Sequence, residues 1–286
     1  MVFVLFCFFS FPNINPAQAD NEQPNRATLT WVAFEQAPYF IRSGKMAGQG
    51  VGDYLLKQYQ AAMPMFDHVI IFANTGRYAR VLKSKNVCTP VAWLTNQEKH
   101  LLHSRPHSLE PPIGILMHKG VVIPLNQKRP LSLNALMQGT NFRLVALKPF
   151  QYPEQILDIL DEYEELGRVL YLNDHTIEIN EMLLERGRAD VALAMPSQMT
   201  ELLLRGRGSD FHFHQIQELK SYIQLMSHCS DDPVGQEALR IISSILTDDF
   251  LEYILVRYKS WYPEIDDFET LFRKSISFGR SAPPRQ

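Results

Sequence analysis

The stretch from Trp31 to Gln60, WVAFEQAPYFIRSGKMAGQGVGDYLLKQYQ, constrains the fold of this chain more than any other. Thr28 to Phe34 alternates and carries β-branched and aromatic residues, the pattern of a strand. An aromatic-bearing loop follows, Glu35-Gln36-Ala37-Pro38-Tyr39-Phe40, and then a turn built on Gly48 and Gly50. The helix after it has Asp53 in its first turn and an apolar stripe of Tyr54, Leu55, Tyr59 and Met63. Strands at His68 to Phe72 and Val87 to Leu94, with a helix from Arg77 to Lys83 between them, extend a strand-helix alternation that predicts a parallel α/β sheet.

From Pro111 the pattern changes. Pro112 and Gly114 lead into the apolar runs Ile113 to Met117 and Val121 to Pro124, and a second alternating series follows through Leu131 to Met137, Arg143 to Leu147, Pro153 to Leu160, Val169 to Leu172, Thr176 to Glu185 and Asp190 to Ala194. In that series Gly187-Arg188-Ala189-Asp190-Val191-Ala192-Leu193 reads as a helix end running into a short apolar strand, with Asp190 placed to bond backbone at the strand start. Ser221 to Met226 reads as a further strand and Gly235 to Leu246 as a helix. With 286 residues and 45% hydrophobic content, the chain can fill one large or two medium cores. A net charge of -3, with no basic stripe interleaved with aromatics, argues against nucleic acid as a partner.

The N-terminus, Met1 to Phe11, is an apolar run followed by Pro12, Pro16 and the small-x-small pattern Ala17-Gln18-Ala19. It reads as a signal peptide over residues 1–19, because about eleven residues span only ~16 Å of helix, roughly half of a bilayer core. No Lys or Arg precedes Arg26, although a secretory leader ordinarily carries one. Its removal takes away Cys7 and leaves Cys88 and Cys229, which either pair in an oxidising compartment or stay free; geometry decides between the two.

The Trp strand, the Pro-aromatic loop, the Gly-Gln-Gly turn and the later Gly-Arg-Ala-Asp strand together resemble the family 3 extracellular solute-binding proteins, in an uncharacterised branch. The resemblance covers Ala27 to Lys274 and implies an α/β fold of the type II periplasmic-binding kind. Each of its two lobes is then a mostly parallel sheet flanked by helices, and two hinge crossovers join them. It places lobe 1 at residues 27–115, lobe 2 at 116–216, the return part of lobe 1 at 217–275 and a disordered tail at 276–286. It further implies a monomeric periplasmic receptor that closes on a small polar solute for an inner-membrane transporter or sensor, without catalysis and without a cofactor.

Ligands of open α/β sheets bind beyond the carboxyl ends of the strands. In the first lobe that rule selects Glu35 and Tyr39 in the loop after the first strand, and Trp93 near the end of a later one. Arg77 opens a helix at a position where relatives also carry arginine, and Thr95 begins the segment that in amino-acid-binding members holds a Thr-x-x-Arg carboxylate clamp. In the second lobe the loop and helix start at Lys148, Gln151 and Tyr152 face the cleft in the family.

Two departures argue against an ordinary α-amino acid as ligand. The clamp arginine is replaced by Gln97, Glu98 or Lys99, none of which offers its planar fork, and Met195 stands where the family has the acid that holds an α-ammonium. His100, His103 and His107 have metal-compatible spacing, yet Pro106 interrupts the helix they would need and no further ligand completes a set. No nucleophile elbow, phosphate loop, nucleotide fingerprint or zinc-protease helix is present. The alternatives to a receptor are an envelope protein-interaction module with a vestigial cleft, and a dehydratase-like enzyme on the same scaffold in which a buried Glu35 carries the proton.

Overall fold

A computed structural model describes residues 26–93, 100–123, 130–148, 152–173, 177–219, 222–262 and 268–281. Lobe 1 begins with β1 (Thr28–Ala33), α1 (Val51–Ala62), β2 (Asp67–Phe72), α2 (Thr75–Val81), β3 (Val87–Trp93), β4 (Leu101–His103) and β5 (Ser108–Glu110). Lobe 2 holds β6 (Gly114–His118), α3 (Leu133–Gln138), β7 (Leu144–Leu147), α4 (Glu154–Glu165), β8 (Val169–Leu172), α5 (Ile177–Glu185), β9 (Val191–Ala194), α6 (Pro196–Leu204) and β10 (Phe211–Gln215). The chain then returns to lobe 1 with β11 (Ile223–Ser230), α7 (Pro233–Ile245), α8 (Asp248–Lys259) and α9 (Phe268–Ser281). The last helix thus runs beyond residue 276, where a tail was expected, and β6 starts two residues before the expected start of lobe 2.

The first sheet runs β2-β1-β3-β11-β4, with β5 also on β11; the second runs β10-β6-β9-β7-β8. Both are mixed. β2, β1 and β3 are parallel in the first, and β8, β7 and β9 in the second, whereas β11 lies antiparallel to β3, β4 and β5, and β6 antiparallel to β9 and β10. The antiparallel pairs belong to the strands on either side of the two crossings, between β5 and β6 and between β10 and β11. The chain reverses direction there when it changes lobe. Among the described residues no helix is long and apolar enough to cross a membrane.

Each lobe has its own core. In lobe 1, Trp31 is fully buried, stacks 6.0 Å from Tyr59 and donates its indole N–H to His68 Nδ1 at 3.0 Å. That hydrogen bond is what a buried indole needs. Lobe 2 sandwiches its sheet between two clusters, one around Ile115, Leu144, Ile156 and Leu193, the other around Leu116, Val145, Leu184 and Phe211.

Local signals place the elements. Asp53 takes N–H donors from Gly50 at 3.0 Å and Ile41 at 3.1 Å, fixing both the start of α1 and the loop before it. Gly48 has φ +72°, and Gly50 sits where a Cβ would strike the Tyr39 carbonyl. In lobe 2, Asp190 accepts from Arg143 N at 2.7 Å and so ties the start of β7 to the start of β9. Cys88 and Cys229 face one another in the β3–β11 register and form a disulfide across 141 residues of sequence. The bond joins the first and the returning segments of lobe 1.

Candidate functional site

The two lobes meet along α6. Three structural units of lobe 1 reach this helix: the loop after β1, the end of β5 and the segment after α8. Gln36 Nε2 donates to Met195 Sδ at 3.3 Å, and Thr200 Oγ1 donates to the Trp261 carbonyl at 2.7 Å. Between them, Ser197 Oγ donates to Glu110 Oε1 at 3.4 Å while Tyr262 Oη donates to Glu110 Oε2 at 3.0 Å. Ser197 and Glu110 are buried, and Gln198 beside them accepts the Met195 N–H at 3.1 Å, closing the first turn of α6.

These positions follow from the strands. β1 ends in the parallel part of the first sheet and β9 beside the parallel β7 of the second, and the segments that leave their carboxyl ends, Glu35-Gln36 and Met195-Pro196, converge. Pro196 starts α6 at the first helical position, where a missing N–H costs nothing.

The seam is acidic and largely buried. Glu110 is pushed up to about 8, first by burial, against the hydrogen bonds from Tyr262 and Ser197 that favour its charged form. Glu201, further along α6, is pushed up to about 7 by burial first, then by neighbouring Glu178, with Arg205 opposing and Glu35 across the seam adding. Arg205 itself is engaged with Glu178 at 3.2 Å and Glu181 at 3.0 Å. Tyr262 is pushed well above the usual phenol range by burial and by Glu110.

The residues singled out in the sequence scatter with respect to this seam. Glu35 lies at its edge, exposed, and acts on Glu201 through its charge. Tyr39 corrects an expectation: it is buried in the lobe 1 core, its ring 6.1 Å from Tyr258, and so packs instead of offering a face to a ligand. The cause is local, because Val51 N and Asp53 N donate to the carbonyls of Pro38 and Tyr39 and draw the loop down onto the start of α1. Tyr152 is likewise buried, and its hydroxyl accepts the Leu147 N–H at 2.8 Å, closing the end of β7. Arg77 and Lys148 are exposed, and Trp93 is half-buried against the lobe 1 core opposite Leu225. Thr95 and Gln151 lie outside the described residues.

The histidines do not share a helix. His103 is on β4, and His107 is buried before β5 with Nδ1 2.8 Å from Ser108 Oγ and Nε2 3.1 Å from the Pro90 carbonyl. Among the described residues no three His, Cys, Asp or Glu side chains converge as a metal site. Sequence reading missed Gln36, Glu110, Ser197, Thr200, Glu201, Trp261 and Tyr262. A usable signal existed for α6 alone, in Pro196 directly after an apolar strand and Gly206, at φ +74°, just past the helix end.

Neither a protein-family model nor a curated protein matches the sequence. Solved structures do match the fold. The chain is similar to the BvgS VFT2 domain of Bordetella pertussis, with a TM-score of 0.58 and 13% identity over 82% of this chain and 93% of that one. It is also similar to the arginine-, lysine-, histidine-binding protein ArtJ of Geobacillus stearothermophilus, with a TM-score of 0.57 and 13% identity over 86% of this chain and all of that one, 100%. ArgBP of T. maritima gives a TM-score of 0.58 and 15% identity over 83% and 96%. The fold is therefore the two-lobed α/β fold of periplasmic binding proteins.

Proposed function

We propose that this chain is a periplasmic solute receptor, which closes on a small polar solute and presents it to an inner-membrane transporter or a sensor. The seam carries the reading. Two separately cored lobes, joined by two crossings, bring the carboxyl-end segments of β1 and β9 face to face through Gln36 and Met195. A solute held there touches both lobes, and its affinity for the closed form sets how far it shifts the equilibrium. The names of ArtJ and of the substrate binding protein of an amino acid ABC transporter, another similar structure, support a binding role. The Cys88–Cys229 disulfide fits the oxidising compartment to which the N-terminal leader points.

The ligand is a polar solute other than a plain α-amino acid. Met195 brings a thioether to the seam where the resembled family places an ammonium-binding acid, and its sulfur is engaged by Gln36. An enzyme is the weaker reading, since an exposed Glu35 lacks the burial that a proton carrier needs. The direct bonds between lobes favour one second reading, an interaction module whose cleft is held shut by its own side chains.

Trp261 offers a test. It is buried and its carbonyl takes the Thr200 hydroxyl across the seam, whereas Trp31 lies deep in the lobe 1 core. Titration with amino acids, polyamines, peptides, organic acids and aromatic carboxylates should change tryptophan emission saturably for one class, and Trp261→Phe should abolish most of that change. Emission that no class alters would count against a receptor and for the interaction module.

A further inference from the structure

Glu110 is the last residue of β5, immediately before the crossing into lobe 2, and only 1% of it is exposed. One carboxyl oxygen takes the hydroxyl of Tyr262, from lobe 1; the other takes the hydroxyl of Ser197, from lobe 2. A single buried carboxyl therefore bonds both lobes at the point about which they would turn, and when neutral it keeps both bonds, its own O–H turning to the Ser197 hydroxyl oxygen while the other oxygen still takes the Tyr262 hydroxyl. We propose that Glu110 is a proton-dependent latch, holding the lobes together while its carboxyl is neutral and releasing them when it ionises.

The surroundings set the direction. Facing Glu110 are Tyr258 from the end of α8 and Tyr262 from the segment after it, both held well above the usual phenol range, and Ser197 from α6. Opposite it on β11 stands Ile223, and α9 packs Phe268 5.3 Å from Tyr262. Among the described residues no cation contributes to its ionisation. An ionised carboxylate enclosed by apolar rings and uncharged hydroxyls is costly, so burial raises its pKa to about 8. Moving Ser197 away opens one side of the carboxyl to water, where ionisation is cheap.

Linkage then fixes the sign. The latched form holds a proton that the more exposed carboxyl of the open form gives up nearer the ordinary value of 4.5, so latching is most favoured at low pH. It weakens as pH rises, and the open-to-latched ratio grows about tenfold per pH unit until about 8, where it levels off. The inference rests on the receptor reading for its use, as a gate that makes solute capture depend on pH, but not for its test.

Small-angle scattering of the protein without added solute, from pH 5.5 to 9, supplies that test. The wild type should expand with rising pH, while Glu110→Gln, which keeps a hydrogen-bonding group that does not titrate, should expand much less, the remainder coming from Glu201 ionising across the seam from Glu35. Ser197→Ala, which removes only the lobe 2 partner, should expand at lower pH than the wild type, and it serves if Glu110→Gln does not fold. A wild type of constant size, or variants that expand just as it does, would overturn the latch. Neither outcome bears on whether a solute binds, which the tryptophan titration decides separately.

Discussion

Replacing Cys88 and Cys229 together by serine should destabilise lobe 1 by about 3–5 kcal/mol. The disulfide closes a sequence separation of 141 residues that contains all of lobe 2, and in the chain-entropy account a loop of that size gains close to the maximum, about 5 kcal/mol. Should lobe 2 stay folded while lobe 1 unfolds, the effective loop is shorter. The logarithmic dependence on length makes that correction small, about 0.6 kcal/mol for each halving. Both cysteines are fully buried, so two hydroxyls placed in a dry core add to the loss. Urea denaturation followed by circular dichroism should show the midpoint of the double variant lower by about 1 M or more. An unchanged midpoint would mean that the strand pairing of β3 with β11 supplies the connection without the bond.

Converting His228 to leucine should stabilise the protein, and increasingly so as the pH is lowered. His228 is fully buried on β11, and among the described residues neither ring nitrogen has a hydrogen-bond partner. Burial, with the nearby His103 and His107, lowers its pKa from 6.5 to about 3. The folded protein therefore keeps the ring neutral at a pH where the unfolded chain protonates it. Stability from this group is whole above 6.5 and is lost, at about 1.4 kcal/mol per pH unit, as the pH falls towards 3. His107, lowered to about 4, acts in the same sense, while Glu110, raised to about 8, acts in the opposite one. The net pH profile of the wild type thus mixes opposing contributions, and the difference between variant and wild type isolates His228. His228→Leu should gain about 1–3 kcal/mol at pH 7 from removing an unsatisfied buried group, and about 2–3 kcal/mol more by pH 4.5. Parallel profiles for the two proteins would show that the ring is solvated or bonded in the native state.

The architecture was readable because its signals are local. Trp31 and its alternating neighbours mark a central strand, Asp53 marks a helix start and Asp190 marks the beginning of β9, each within a few residues of the element it defines. The family resemblance added what periodicity does not carry, namely that the chain leaves lobe 1 near Pro111 and comes back to it. The antiparallel members of each sheet were not legible, since strand direction depends on where the crossings occur.

The seam was hidden for a different reason. Glu110 looks like any surface acid in sequence, and its burial depends on Tyr262 and Ser197, which lie 152 and 87 residues away. Tyr39 misled in the reverse sense. A proline-aromatic loop after a strand reads as a ligand platform, but the close approach allowed by Gly50 lets the Tyr39 carbonyl cap α1, and the ring turns inward towards Tyr258. Helix α6 contributes Met195, Ser197, Thr200 and Glu201 to the seam, and in sequence its polar residues read as an ordinary solvated helix face that only the fold turns towards lobe 1.

A thermal-shift screen against the same classes of polar solute tests the receptor account most directly. A ligand present at a hundred times its dissociation constant stabilises the folded state by about 2.7 kcal/mol, enough to raise the Tm by several degrees. The account predicts such a rise for at least one class, reduced when Gln36 and Glu201 are both replaced by alanine at the seam. No shift with any solute, from a protein that melts cooperatively, would contradict it.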